Sequence, residues 1–232
     1  MGKWLPALIL FLGATLTVIF RQPMRTEDRI NLNLIPPPQG IQRFTFGYDE
    51  VMADTLWLRV IQDFHVCENA KDGIARMADR VNDESICRLG WVYKMVDSIT
   101  DLAPRWKLPH SRGAMLLSIV VDDRAGATRI FQKGLQRFPF DYQLNYGAAY
   151  HYLWEEKQPE KAAPLLIRAA QAGGPPWMYA LAGKLYSEEG KLDLAIEVME
   201  QGLKDRKNEK SADRIEKRLA ELKARREALK KP

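Results

Sequence analysis

Three histidines and two cysteines are the side chains of this 232-residue chain best suited to nucleophilic, acid–base or metal chemistry. His65, His110 and His151 fall on three separate predicted helices or turns, without the His-Glu-x-x-His spacing of a zinc protease. A Gly-x-Ser-x-Gly elbow and a glycine-rich phosphate loop are also missing from the sequence. The pattern therefore predicts a protein that is not an enzyme and needs no cofactor or metal, with each histidine on the surface or in packing.

The two cysteines, Cys67 and Cys87, are near one another in sequence. A disulfide between them would close a loop of about 20 residues and stabilise the fold by about 3 kcal/mol in the chain-entropy model. Two independent buried thiols are one alternative. A metal site is another, although His65 and two cysteines make an incomplete ligand set. We expect the disulfide if the compartment is oxidising.

Residues 4–20 carry no charge. As a helix they would span about 26 Å, slightly less than the hydrocarbon core of about 30 Å. The length of this run and the poor match to an Ala-x-Ala-like site favour an uncleaved membrane anchor over a cleaved signal sequence.

The orientation of the anchor depends on conflicting signals. Arg21, Arg25 and Arg29 follow the span, which by the positive-inside rule favours a cytoplasmic body. The single basic residue ahead of the span, Lys3, and two cysteines able to pair favour export. We expect a single-pass inner-membrane protein with its body in the periplasm.

The net charge of +5 lies entirely in the tail, because residues 204–232 carry +6 and the rest of the chain carries −1. Glutamates interspersed in the tail (Glu216, Glu221 and Glu227) dilute its positive potential, so no nucleic acid is expected as a partner. The tail predicts a charged helix over 212–229, with an apolar stripe of Ile215, Leu219, Leu222 and Leu229. We expect it to cap the preceding helices; a partner-binding or coiled-coil helix, or a contact with nucleic acid or an anionic membrane, are the alternatives.

Helical periodicity without strand alternation predicts an all-α fold. Five segments are predicted. They are the anchor or signal sequence (1–20), a proline-containing linker (21–47), an N-terminal helical part with a degenerate first repeat (48–104), a repeat region (105–204) and the charged C-terminal helix (205–232). The predicted helices span 49–64, 89–102, 109–121, 125–137, 141–156, 159–172, 176–189, 192–204 and 212–229. Asp49 is expected to cap the first helix, where Trp57 and Leu58 indicate burial on two sides. Asp122 and Asp123 are expected in a solvated turn.

Three segments repeat a small–large–small pattern with internal steps of four and then three positions: Ala127, Phe131, Gly134; Ala162, Leu166, Ala169; Ala195, Met199, Gly202. The copies follow one another at a period of about 34 residues, which is typical of stacked helical hairpins. In such hairpins small residues allow neighbouring helices to approach. The sequence therefore predicts a short α-solenoid of antiparallel hairpins.

The last unit resembles the tetratricopeptide repeat through seven residues: Tyr179, Ala182, Gly183, Tyr186, Ala195, Met199 and Gly202. The preceding unit is similar, through Tyr146, Ala149, Tyr150, Leu153, Ala162, Leu166 and Ala169. In the unit before that, the first helix is one residue out of register. The opening Phe46-Gly47-Tyr48-Asp49, followed by Ala53-Asp54-Thr55-Leu56-Trp57-Leu58-Arg59, also resembles bacterial membrane-anchored tetratricopeptide proteins.

This resemblance implies that extended peptides of partner proteins, subunits of an envelope or inner-membrane complex, bind on the concave face, which the first helix of each hairpin lines. In this chain the outward positions of those helices would be Arg112, Leu116, Ile119, His151, Trp154, Glu155, Trp177, Lys184 and Glu188. Trp154 and Trp177 suit an interface hot spot, and their alternative role is packing at a hairpin turn.

The expected function is a non-catalytic scaffold or assembly subunit of a cell-envelope or inner-membrane complex. A chaperone-like factor that holds client peptides near the export machinery is the alternative. A cytoplasm-facing adaptor is a third hypothesis, and it would leave both thiols free.

Overall fold

The computed structural model of the chain describes Thr15 and residues 35–64, 89–205 and 212–230. The chain divides into two compact units, Met1–Ile35 and Pro36–Pro232. In the second unit the described residues form helices joined by turns, with no strand among them. The predicted all-α class is confirmed.

A 3₁₀ helix at Ile41–Phe44 precedes nine helices in the described parts of this unit. We number them α1 (Asp49–Asp63), α2 (Trp91–Leu102), α3 (107–120), α4 (Arg124–Arg137), α5 (Tyr142–Tyr150, continued by His151–Glu155), α6 (Pro159–Gln171), α7 (Trp177–Glu188), α8 (Leu192–Asp205) and α9 (Ala212–Lys230). Consecutive helices pack on one another along the chain.

Two predictions fall outside the described residues. Cys67 and Cys87 are not among them, and of the apolar segment 4–20 only Thr15 is. No helix in the described part of the chain is both long and apolar enough to cross a membrane. The disulfide and the anchor stay predictions.

Side-chain caps explain where two helices begin. The Asp123 carboxylate accepts a hydrogen bond from the Gly126 backbone N–H at 2.9 Å, and Asp141 accepts one from Leu144 at 3.0 Å. Each bond satisfies a backbone donor that has no partner within the helix. For α1 the expected cap is wrong: the helix starts at Asp49 itself, whose carboxylate lies 2.5 Å from the Thr45 hydroxyl.

The expectation that Asp122 and Asp123 form a solvated turn holds for one of the pair. Asp122 is exposed, whereas Asp123 is buried. Its second carboxylate oxygen accepts a hydrogen bond at 2.8 Å from the backbone N–H of Leu89, just before α2. Asp123 can be buried because both of its carboxylate oxygens accept hydrogen bonds from backbone N–H groups.

The nine small–large–small residues of the repeat are all buried. A Cβ added to Gly183 would come within 2.7 Å of the Met199 side chain, and one added to Gly202 would lie 2.7 Å from the Tyr179 Cβ. Helices α7 and α8 are therefore in close contact at both glycines. For the last hairpin, the prediction that small residues allow neighbouring helices to approach is confirmed.

The three hairpin turns share one backbone feature. Asp122, Lys157 and Gly190 all have positive φ, at 59°, 56° and 78°. Each stands five positions before the alanine of its triplet, so the turns recur with the same period as the triplets. The repeat is thus visible in the backbone as well as in the sequence.

Helices α3 and α5 include π-helical segments, at Pro109–Gly113, Leu116–Val120 and His151–Glu155. Backbone bonds five residues apart, from Val121 to Leu116 and from Glu156 to His151, mark these wide turns. A π turn accommodates one residue more than an α turn. Helix α7, the corresponding helix of the last hairpin, is α-helical throughout.

Helix α9 covers α8, as the capping prediction requires. Ile215, Leu219 and Leu222 pack against α8, and Lys223 pairs with Glu200 at 2.7 Å. Leu229, expected on the same stripe, is exposed instead. Arg226 already lies opposite Asp193, near the start of α8, so Leu229 extends past the helix that would cover it.

Candidate protein-interaction surface

Tyr146 of α5 and Trp177 of α7 meet on the surface between neighbouring hairpins. Their rings lie 5.9 Å apart in an edge-to-face arrangement, at an interplanar angle of 82°. Tyr146 remains 37% exposed and Trp177 42% exposed. Large aromatic side chains that are partly exposed and fixed by a neighbouring ring are typical of interface hot spots.

Tyr142 extends this pair. Its ring stacks on that of Tyr146, four residues later on the same helix, with centroids 6.3 Å apart. Tyr142 also lies beside Gly174, where an added Cβ would come within 2.9 Å of the ring. We call Tyr142, Tyr146 and Trp177 the aromatic surface.

Trp154 lies about 12 Å further along α5 than Tyr146, from the helical rise of 1.5 Å per residue. It is more than half exposed, and the Lys157 ammonium sits 5.9 Å from its ring centroid. Both tryptophans that the sequence singled out are therefore exposed rather than packed in a turn.

The other predicted surface residues lie on three helices. Three of them lie on α3. Arg112 and Ile119 are exposed, and Leu116 between them is half-buried. Lys184 and Glu188 are exposed on α7 and form an ion pair at 3.6 Å. Glu155 is half-buried, and its backbone carbonyl accepts a hydrogen bond from Arg124.

His151 does not point outward as expected, because it is fully buried. Its Nδ1 lies 2.7 Å from the Ser118 hydroxyl and its Nε2 2.8 Å from the Thr128 hydroxyl. His151 follows Leu144 by seven residues and Ala148 by three, so ordinary helical spacing places it on the buried side of α5. Burial, with a smaller effect of Arg124, lowers the pKa of His151 to about 4.

The Ser118–His151 pair has the residue types of a nucleophile and base, but its position suits a structural role. Ser118 and His151 are both buried, and Thr128 supplies a hydroxyl where a catalytic triad has a carboxylate. The imidazole instead joins α3, α4 and α5, since its two nitrogens hydrogen-bond to the other two helices.

His110 is the second buried histidine in the described chain. Neither ring nitrogen has a partner at good hydrogen-bond geometry, although the Pro104 backbone lies close to the ring, and Phe138 packs edge-on at 5.5 Å. Burial and the nearby Lys133 lower the pKa of His110 to about 4. No group of three or more histidine, cysteine, aspartate or glutamate side chains in the described residues is arranged to hold a metal ion.

Sequence reasoning missed Tyr142 and Tyr146 as surface residues. The repeat pattern identifies Tyr146 only as the large residue of its unit, and it does not include Tyr142. Their spacing of four residues places both rings on one side of a helix. That spacing was visible in the sequence; the position of Trp177 opposite Tyr146 was not.

Comparisons of the chain with protein-family models, with curated proteins and with solved structures find no match.

Proposed function

We propose that this protein is a non-catalytic interaction subunit that binds a partner protein along the aromatic surface. The observation that supports this best is the contact between Tyr146 and Trp177, which joins two hairpins and leaves both rings partly exposed. Rings held in this way lose little conformational freedom when a partner binds, so their contact area converts efficiently into affinity.

The hairpins form a short solenoid of tetratricopeptide type in this proposal. Its support is the burial of the repeated small residues and the common turn conformation at Asp122, Lys157 and Gly190. Stacked hairpins present their first helices side by side, and α5 and α7 are two such helices.

The proposal also places the protein at the inner membrane, anchored by residues 4–20, with its body in the periplasm. Cys67 and Cys87 then form a disulfide. Alkylation before and after reduction tests this part: both thiols should resist labelling until the protein is reduced. Full labelling without reductant would exclude the disulfide and weaken the periplasmic placement.

Purification of the full chain from membranes in mild detergent, followed by mass spectrometry, tests the function. A scaffold recovers a small recurring set of envelope proteins in fixed proportion. The variant Tyr146→Ala/Trp177→Ala should lose them, whereas Leu194→Ala, which removes a similarly exposed apolar side chain from α8, should not.

Two other outcomes contradict the scaffold. Recovery of many unrelated clients at low occupancy indicates the chaperone-like alternative. A recurring set that survives the double alanine variant places the binding site elsewhere on the chain.

A further inference from the structure

Helix α1 has two apolar sides, and the described structure covers one of them. Ala53, Leu56 and Val60 are buried on the side that packs against α2. On the opposite side Val51, Leu58 and Ile61 are between 50% and 61% exposed, so the burial expected for Leu58 is wrong. We call these three residues the outer face of α1.

The spacing of the outer face makes it a continuous stripe. Leu58 follows Val51 by two helical turns and Ile61 follows Leu58 by three residues, so all three lie along one side of the helix. Phe46 and Tyr48, just before α1, are also strongly exposed. Single exposed apolar residues are common, but a contiguous group marks an interaction site.

A cavity of about 470 Å³ lies alongside this stripe. Glu50 and Asp54 of α1 line one wall, and Leu102, Arg105 and Trp106 line the wall that follows α2. Asp54 stands between Val51 and Leu58 in the helix, so the cavity and the outer face are adjacent. The Trp106 ring is fixed edge-on by Trp57 at 5.9 Å.

Two carboxylates and one guanidinium line the cavity, so the net charge of its lining is −1. Neither Glu50 nor Asp54 forms an ion pair within the described chain, and neither does Arg105, the cation of the cavity. From Phe46 to Asp63 the net charge is −3. The positive residue of this stretch, Arg59, sits 5.9 Å from the Trp91 ring of α2.

We propose that the outer face of α1 and its cavity bind a basic amphipathic helix of a partner protein. Apolar residues of that helix cover Val51, Leu58 and Ile61. One of its arginine or lysine side chains enters the cavity, between the carboxylates of Glu50 and Asp54 and against the Trp106 ring.

The negative charge selects this occupant over two others. Anionic lipid headgroups would be repelled by a stretch with a net charge of −3. A second copy that packs α1 against α1 would bring like charges together. A basic helix complements both the stripe and the carboxylates. This site is separate from the aromatic surface, so one chain would hold two partners.

Fluorescence anisotropy with the full chain in detergent tests the inference. The probe is a labelled synthetic helix of about five turns, with leucines at i, i+3, i+4 and i+7 flanked by arginines. The matched probe replaces every arginine by glutamate. We expect the basic probe to bind at least tenfold more tightly, and its affinity to fall at least tenfold in Asp54→Lys and in Leu58→Asp.

Leu194→Asp is the matched control, because it places the same charge at an exposed leucine on α8. It should leave the affinity unchanged. Equal binding of both probes, or a loss as large in Leu194→Asp, overturns the inference. A photo-cross-linking residue at Val51 should join the basic probe; a cross-linked dimer of the chain or a lipid adduct there also overturns it. The variant Tyr146→Ala/Trp177→Ala should bind the probe normally. A negative result with the probe would therefore contradict this inference and leave the proposed function unaffected.

Discussion

The carboxylate of Asp123 accepts a hydrogen bond from the backbone N–H of Leu89, 34 residues earlier in the chain, at 2.8 Å. Its other oxygen accepts one from Gly126 in the first turn of α4. A single buried side chain therefore holds the start of α2 against the start of α4. This contact links α2 to the hairpin formed by α3 and α4.

Replacing Asp123 by alanine should lower the free energy of unfolding by about 2–4 kcal/mol, since it removes a helix cap and leaves a buried N–H unpaired. Urea unfolding followed by circular dichroism measures the change. Asp122→Asn is the control, because Asp122 is exposed and asparagine tolerates positive φ. Equal losses in the two variants would contradict the role given to Asp123.

Thr128→Val should destabilise the protein by about 1–3 kcal/mol, because the Nε2 atom of His151 loses its hydrogen-bond partner inside the fold. The variant keeps the shape of the side chain. Thr55→Val provides the comparison: the Thr55 hydroxyl is exposed and bonds to the Val51 carbonyl of its own helix. A change below about 0.5 kcal/mol in both would show that His151 does not depend on Thr128.

Stability should fall as the pH drops from about 6.5 to about 4. His110 and His151 have folded-state pKa values of about 4, below the 6.5 of an unfolded histidine. In this window the unfolded chain binds protons that the folded chain does not, so each histidine contributes a slope of about 1.4 kcal/mol per pH unit. Their stabilising effect is complete above pH 6.5.

His110→Leu separates this effect from the titration of carboxylates. Because neither ring nitrogen of His110 has a partner at good hydrogen-bond geometry, the variant should keep its stability at pH 7. Its pH slope between about 4.5 and 6 should decrease by about 1.4 kcal/mol per unit. Urea midpoints across this range provide the measurement, and an unchanged slope would show that His110 is already protonated when folded.

Gly183→Leu should destabilise the last hairpin by at least about 3 kcal/mol, since the Met199 side chain and the Ala195 carbonyl already occupy the space around Gly183. Lys184→Leu introduces the same residue at the next, exposed position of α7 and should change stability by less than about 0.5 kcal/mol. Thermal unfolding of both variants checks the prediction. An unchanged melting transition for Gly183→Leu would contradict the close approach of α7 and α8.

The sequence predicted the second helix of each hairpin well because those helices have ordinary α geometry. Ala162 and Ala195 recur at helical spacing and are buried as expected. The first helix of each hairpin was harder to predict, because the π turns in α3 and α5 interrupt the regular helical spacing. In α3 the additional residues account for the match to the repeat that is one residue out of register. His151 faces inward for another reason, because it lies on the same side of α5 as the buried Leu144 and Ala148.

The aromatic surface was predicted in part. Trp177 is marked by its residue type and its position after two prolines, whereas Tyr146 matches the large-residue position of the repeat, which does not tell whether the ring is exposed. The contact between these rings depends on how α5 and α7 are placed relative to one another, and this is a tertiary property. Asp123 was misjudged for the same reason: its partner Leu89 is remote in sequence.

The wide turns of α3 and α5 end just before the left-handed residues Asp122 and Lys157. A helix that takes in an additional residue as a local bulge can grow without rotating the next helix away from its neighbour. Hairpins of unequal length can then stack at a constant spacing, so this architecture tolerates insertions within its helices as well as in its loops.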